Sequence, residues 1–216
     1  MQSAACGYSA GVRTRYARTA GTWRFWYMIF GGMTMKPVDK DFIIKGEHIY
    51  LRPITQADTE LVLRWRNAPE VVENFLYRKE ITAQEHQSWL ENKVFTGQVH
   101  QFVIMDAADD TPLGSVYLQN FDEENNKAEW GLFLDGDKTR GRGVGTEVGN
   151  LIWDYAFDTL KLHKLHSRVL ARNKPCVRMN EKLGFPQEAY LRDELLLDGS
   201  YEDLILYGAL KGDRGQ

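Results

Sequence analysis

The stretch TRGRGVGT, residues 139–146, interleaves Gly141, Gly143 and Gly145 with Arg140 and Arg142, and the apolar run LIWDYAF follows a few residues later. Glycines at these positions permit positive φ and let a ligand approach the backbone closely. A helix that starts there presents unpaired N–H groups to an anion. The two arginines add fixed positive charge at its edge. The chemistry this predicts is the binding of a phosphate or pyrophosphate. Two common nucleotide patterns do not fit. Thr146 stands where a dinucleotide motif needs its third glycine, and no Gly-Lys-Ser/Thr closes a P-loop.

Two further stretches stand in register with the first. NKPC, residues 173–176, follows the next strand pattern, and NEKLGF, residues 180–185, follows it in turn. Arg140-x-x-Gly143-x-Gly145 directly after the strand AEWGLFL, together with these two, resembles the GCN5-related N-acetyltransferase (GNAT) family over about residues 46–210. The resemblance implies acetyl-CoA as cosubstrate and no metal. Its pyrophosphate would lie on Arg140, Gly141, Arg142, Gly143, Val144, Gly145 and Thr146. Backbone groups around Leu132, Phe133 and Leu134 would bond the pantetheine and the acetyl oxygen. Asn173 would contact the CoA arm from the other side, and Asn180 and Lys182 belong to the motif lining the thiol channel.

Acetyl transfer to an amine needs a base, because a primary ammonium has a pKa of about 10.4 and must lose a proton to attack. Glu129 stands where many family members carry that glutamate; the alternative is an outward strand residue in a salt bridge. The acid departs from the family pattern, since Asn180 replaces a common tyrosine. Cys176 stands where a branch acting on ribosomal-protein N-termini has a serine near the leaving sulfur. It is therefore the candidate acid, against a small buried helix residue or an ordered water. Tyr201 and Tyr207 belong to the last strands and are not placed by sequence.

For the acceptor, Trp65-Arg66-Asn67 followed by Glu85-His86 and Trp89 resembles the branch that acetylates nucleotide-linked amino sugars of the pseudaminic acid type. This implies Arg66 on a diphosphate and Trp65 or Trp89 stacked on a base or sugar. The alternative makes both tryptophans core residues and Arg66 a helix cap. A polyamine or a peptide N-terminus is a second class of acceptor, with the acidic segments at 122–124 and 193–194 as attractors. A noncatalytic acyl-CoA-binding module is a third reading, favoured by Asn180 and opposed by Glu129.

These residues must be positioned by an α/β (α+β) domain in the order βααβββαβαββ. The expectation is a mixed, mostly antiparallel sheet of about 6–7 strands with a splayed parallel pair, flanked by helices. HIYLRPI reads as a strand, and Thr55 with Asp58 opens a helix bearing Leu61, Val62 and Trp65 on one face. Thr82 with Glu85 opens a second, packed through Trp89, Leu90 and Phe95. HQFVIMD, LGSVYLQNF and KAEWGLFL form a meander with short links. The helix after the glycines ends near Leu160. KLHSRVL is a strand, the helix after it is closed by Gly184, and a hairpin turns at Asp198-Gly199.

A chain of 216 residues that is 43% hydrophobic and 26% charged suits one soluble domain. A net charge of -3 offers no general attraction to nucleic acid or anionic membrane, so neither is expected as a partner. Cys6 and Cys176 are too few and too distant for a disulfide framework, which suits the cytoplasm. Residues 1–38 carry basic residues and no acid before Asp39. Their interrupted apolar run is shorter than a membrane span of about 20 residues. The expectation is a disordered leader or expression artefact, with Met33 or Met35 as the working start and the domain at 39–212. A small-molecule amine and a homodimer are the expected partners.

Overall fold

The structure, a computed structural model, describes residues 35–214; the expected leader lies outside them except for its last residues. Met35 to Val38 belong with the domain, which moves the expected boundary. The Lys36 carbonyl lies 2.9 Å from His100 Nε2, and Met35 N donates to Glu123. A Cβ on Gly97, whose φ is +81°, would collide with the backbone of residues 35–37.

Among the described residues eight strands form one sheet: β1 (Ile44–Lys45), β2 (Ile49–Pro53), β3 (His100–Asp106), β4 (Pro112–Asp122), β5 (Lys127–Leu134), β6 (Lys164–Leu170), β7 (Gln187–Leu197) and β8 (Ser200–Leu210). The order across the sheet is β1-β2-β3-β4-β5-β6-β8-β7. All neighbours are antiparallel except β5 and β6. The one strand beyond expectation is β1, whose two residues are too short to show a period.

The helices are α1 (Thr59–Arg66), α2 (Pro69–Val72), α3 (Ala83–Trp89), α4 (Gly136–Thr139), α5 (Val144–Asp154) and α6 (Lys174–Lys182). Both α3 and α5 run on into a five-residue wider turn, at Leu90–Val94 and Tyr155–Thr159. Thr82 caps α3 through a full capping box with Glu85. The short α2 and α4 fill links that read as loops.

Helices cover both faces, and β3 shows the consequence. Phe102 and Ile104 join the cluster beneath α5 and α6, while Val103 and Met105 join the cluster beneath α1 and α3. Successive side chains point to opposite faces, so every residue of β3 is buried. Phe95 departs from expectation. It is 43% exposed because the wider turn rotates it off the packed face.

Candidate active site

The parallel pairing of β5 with β6 lasts for three rungs, Lys127 with Lys164, Ala128 with Leu165 and Glu129 with His166. Beyond Glu129, β5 stays on β4 as far as Leu134 and β6 stays on β8 as far as Leu170. The two strands therefore diverge, and the backbone of β5 from Trp130 onward has no strand partner on its β6 side. A cavity of about 800 Å³ occupies this fork, extending from the glycine loop to the helices α1 and α3. Backbone edge on one wall and helix on the other suit an extended amide-bearing ligand.

At one end lies the glycine loop. Gly141 and Gly143 have φ of +77° and +74°, and nothing lies within 4 Å of where their Cβ atoms would be. Gly143 is the N-cap of α5, and its carbonyl accepts from Thr146 and Glu147. The N–H groups of Val144 and Gly145 precede those bonds and face the cavity without an intrahelical acceptor. Glu147 fixes the helix start, because its Oε1 accepts from the backbone of Glu47, His48 and Ile49. Gly145 and Gly149 let α6 approach closely. Their Cβ atoms would lie 3.1 Å from Met179 Sδ and 2.3 Å from Leu183 Cδ1.

Of the residues expected at the loop, Gly141, Gly143, Val144, Gly145 and Thr146 line the cavity, as do Leu132, Phe133, Leu134 and Asn173. Arg140 is exposed at its rim. Arg142 is engaged elsewhere. Its Nη2 donates to Asp106 at 2.6 Å and its Nη1 to the Lys138 carbonyl, and the guanidinium holds the Asp106 carboxyl below its usual range. Lys182, exposed near the C-terminal end of α6, lines no part of the cavity. The expected ligand roles of Arg142 and Lys182 are corrected accordingly.

Asn173 caps α6 by accepting from Cys176 N at 3.2 Å. Asn180, fully buried, accepts from Ser167 Oγ at 2.9 Å and donates to the Cys176 carbonyl at 2.9 Å. Although it borders the cavity, its polar atoms tie α6 to β6, which makes it a brace. Burial pushes the Cys176 thiol up to about 11, against a lowering by the Asn180 hydrogen bond. An ordinary thiol lies near 8.5, so proton transfer from Cys176 to departing CoA runs uphill. This environment corrects the expectation of Cys176 as acid. Tyr207 is buried within β8 and Tyr201 is exposed on the hairpin, and neither lines the cavity.

Glu129 sits on the last rung before the fork, 8% exposed. Its Oε1 accepts from Arg168 Nε at 3.1 Å and its Oε2 from Asn120 Nδ2 at 2.9 Å. Asn120 reaches it from a left-handed backbone position (φ 53°) beside the β4 bulge. Arg168 is 40% exposed along its side chain, so an incoming cation can displace it at modest cost.

The other half of the cavity lies against α1, α2 and α3. Arg66 is 5% exposed; its Nη2 donates to the Tyr77 carbonyl and its Cζ sits 4.0 Å from the Phe75 ring centroid. Nη1 has no partner, and the side chain makes no ion pair among the described residues. Burial lowers its pKa from the ordinary arginine value. His86, also on the wall, faces Thr59 Oγ1 through Nδ1 at 3.1 Å and leaves a buried Nε2 unpartnered.

Asn67 and Glu85 serve the scaffold. Asn67 exchanges two hydrogen bonds with the Ile81 backbone, and Glu85 is consumed by the Thr82 cap. Trp65 is 3% exposed, packs tilted on Phe133 and donates to Asp135. It is a core residue away from the cavity, which corrects the expected stacking role. Trp89 lines the cavity with its Nε1 donating to Gln101 at 3.0 Å.

Sequence reasoning missed Tyr117. It lies opposite Gly131 in the β4–β5 register, and a Cβ on Gly131 would lie 2.5 Å from its hydroxyl. The one available signal was Gly131 itself, a glycine inside a strand that admits a close approach. Among the described residues no cluster of His, Cys, Asp and Glu is placed to hold a metal, and no helix is long and apolar enough to cross a membrane.

A sheet forked between two parallel strands, with a glycine-capped helix at one end and a buried carboxylate at the crotch, matches the architecture that the GNAT resemblance implies. The family model for the acetyltransferase (GNAT) domain matches residues 48–186. A probable N-acetyltransferase of Bacillus subtilis, YjcK, is 34% identical over 189 residues, 81% of this chain and all of that one. The spermidine N(1)-acetyltransferase of Vibrio cholerae is 23% identical over 159 residues, 74% of this chain and 91% of that one. A crystal structure of the Vibrio cholerae spermidine enzyme with CoA and spermine superposes with a TM-score of 0.73. It shares 22% identity and covers 78% of this chain and 98% of its own. The chain therefore belongs to the GNAT acetyltransferase family and is an acetyl-CoA-dependent N-acetyltransferase.

Proposed function

We propose that the acceptor is a small primary amine bearing an anionic group, such as a nucleotide-linked amino sugar, and that it attacks acetyl-CoA directly. The observation that carries this is Arg66, a buried guanidinium on the wall of the acceptor half with no carboxylate partner among the described residues. A buried charge is costly unless paired, and a phosphate or carboxylate on the acceptor would pair it.

In this reading the pyrophosphate of CoA lies on the Val144 and Gly145 N–H groups, with Arg140 at the rim. The pantetheine runs along the free edge of β5 at Leu132, Phe133 and Leu134, with the Asn173 amide opposite. The acetyl group then lies at the fork, next to Glu129. Arg168 yields its place to the acceptor's ammonium, Glu129 takes one proton from it, and the freed lone pair attacks the carbonyl carbon. The nitrogen becomes far more acidic as the C–N bond forms and gives its second proton to water.

Polyamines are the second reading, supported by Glu70, Glu85 and Glu129 around the cavity. Two of these are already engaged, Glu85 by its cap and Glu129 by Arg168. The test is CoA release against a panel of a nucleotide-linked amino sugar, an amino-sugar phosphate, spermidine and an N-terminal peptide. Turnover of an anionic acceptor with a KM that rises about 10-fold or more in Arg66→Ala, the scale of one lost charged hydrogen bond, supports the first reading. Turnover of spermidine alone, unaffected by Arg66→Ala, replaces it with the second.

A further inference from the structure

The acetyl-transfer reading leaves the departing sulfur without a donor. Asn180 is spent on Ser167 and Cys176, and the Cys176 thiol, a weak hydrogen-bond donor, has its sulfur against Asn180 Nδ2. One hydroxyl reaches the fork from a different direction. Tyr117 and Gly131 face each other across β4 and β5, so they share a sheet face with Glu129 and Gln119, the next pair but one toward the crotch. Because Gly131 has no Cβ, the Tyr117 ring lies over β5 itself. The would-be Cβ falls 2.7 Å from Cζ as well as 2.5 Å from the hydroxyl. Gly131 belongs to the part of β5 that β6 has left, so the hydroxyl overhangs the open edge. Among the described residues no hydrogen-bond partner engages it. Both residues line the cavity.

We propose that Tyr117 is a catalytic residue whose hydroxyl donates a hydrogen bond to the thioester sulfur as the C–S bond breaks. This rests on the acetyl-transfer reading of the same cavity. The amine lone pair forms the C–N bond, the C–S pair goes to sulfur, and Glu129 takes the ammonium proton. Tyr117 stabilises the thiolate without giving up its own proton, and the thiolate is protonated by water as CoA leaves. The phenol is suited to this. Burial, and then the Glu129 charge, raise its pKa above the ordinary 10, against lowering by Arg66 and Arg168. It therefore stays a donor across the working pH range.

Tyr117→Phe keeps the ring over Gly131 and removes only the hydroxyl. The expected result is a kcat about 100-fold lower, the scale of one preorganised donor, with acetyl-CoA binding by calorimetry unchanged. The slow hydrolysis of acetyl-CoA by water has the same leaving group, so it should fall by a similar factor whatever the amine. Gly131→Ala should reproduce the loss by displacing the ring. The double variant should be no slower than the slower single one, because both changes remove one interaction. A Tyr117→Phe enzyme at wild-type kcat in both reactions overturns the proposal. So does full additivity of the two changes. If Tyr117→Phe fails to fold, a Gly131→Ala enzyme at wild-type rate overturns it instead. Wild-type protein that binds acetyl-CoA yet releases no CoA to amines or water overturns the acetyl-transfer reading itself, a distinct outcome.

Discussion

Glu129 pairs in register with His166, and Arg168 lies two positions further along β6, so their ion pair spans the point where β5 and β6 separate. As the proposed base, Glu129 would exchange an arginine for an ammonium, and that exchange has a recognisable signature. Glu129→Gln should lower kcat by about 100-fold, within the usual range for a general base, while leaving acetyl-CoA affinity unchanged. The deficit should narrow as pH rises, since a larger share of an amine with a pKa of about 10.4 is then already free base. Steady-state rates from pH 7 to 9.5 test this; a constant ratio across that range removes Glu129 as base. At this scale the sequence was legible where spacing carried chemistry. The glycines were expected to permit positive φ ahead of a helix, and Gly141 and Gly143 take φ of +77° and +74° before α5. Trp65 and Trp89 were indistinguishable, because an indole in a helix reads the same whether its neighbours are Phe133 or open cavity. Arg142 was misread because its partner Asp106 lies 36 residues away in the chain.

Among the elements, α5 is held at both ends of its first turn, by Glu147 against the β2 entrance and by Gly145 against Met179. The N–H groups proposed to face the phosphates are thus held in place by the fold itself, which would reduce the ordering cost of binding. Gly143 is the weak point in a designed test. At φ +74° a β-branched residue is an outlier, although open space surrounds the site. Gly143→Val should therefore strain the N-cap and weaken acetyl-CoA binding about 10-fold, the equivalent of the roughly 1–2 kcal/mol a left-handed residue costs. Calorimetric titration with acetyl-CoA reads this directly, and an unchanged Kd would remove the loop from the CoA site. The strands and the main helices followed from periodicity, capping boxes and the Asp198-Gly199 turn. β1, α2 and α4 did not, since two to four residues hold too few periods to register. Nor did the wider turn that exposes Phe95, which depends on a hydrogen-bond pattern that side-chain spacing does not encode.

For the whole molecule, the sheet order β6-β8-β7 was the least legible feature, because inserting β8 between β6 and β7 depends on pairings between segments dozens of residues apart. The helices that cover both faces of the sheet bury histidines on each of them. His100 on β3 lies between the Lys36 carbonyl and the Tyr155 hydroxyl, 2% exposed, and His86 on α3 is 4% exposed. Burial holds His86, His100 and His166 below the ordinary histidine value of 6.5, against raising by Asp58 at His86, by the Lys36 carbonyl at His100 and by Glu129 at His166. An unfolded chain titrates these groups near 6.5 and so binds more protons than the folded chain just below that pH. Stability must then rise with pH across this window. It is fully present above about pH 6.5 and is lost progressively as pH falls toward the lower folded values. The carboxylate Asp58 acts in a separate, more acidic window. Arg52 and Thr55 hold its pKa below 3.8, despite opposition from burial, the largest single influence. Urea unfolding at pH 7.5 and pH 5.5 should give a lower midpoint at 5.5, with little change between 7.5 and 8.5. His100→Gln, which can still reach the Lys36 carbonyl, should shrink that difference. Equal midpoints at 5.5 and 7.5 would mean that these histidines charge without cost, and that the burial of the two helix-covered faces is looser than the structure requires.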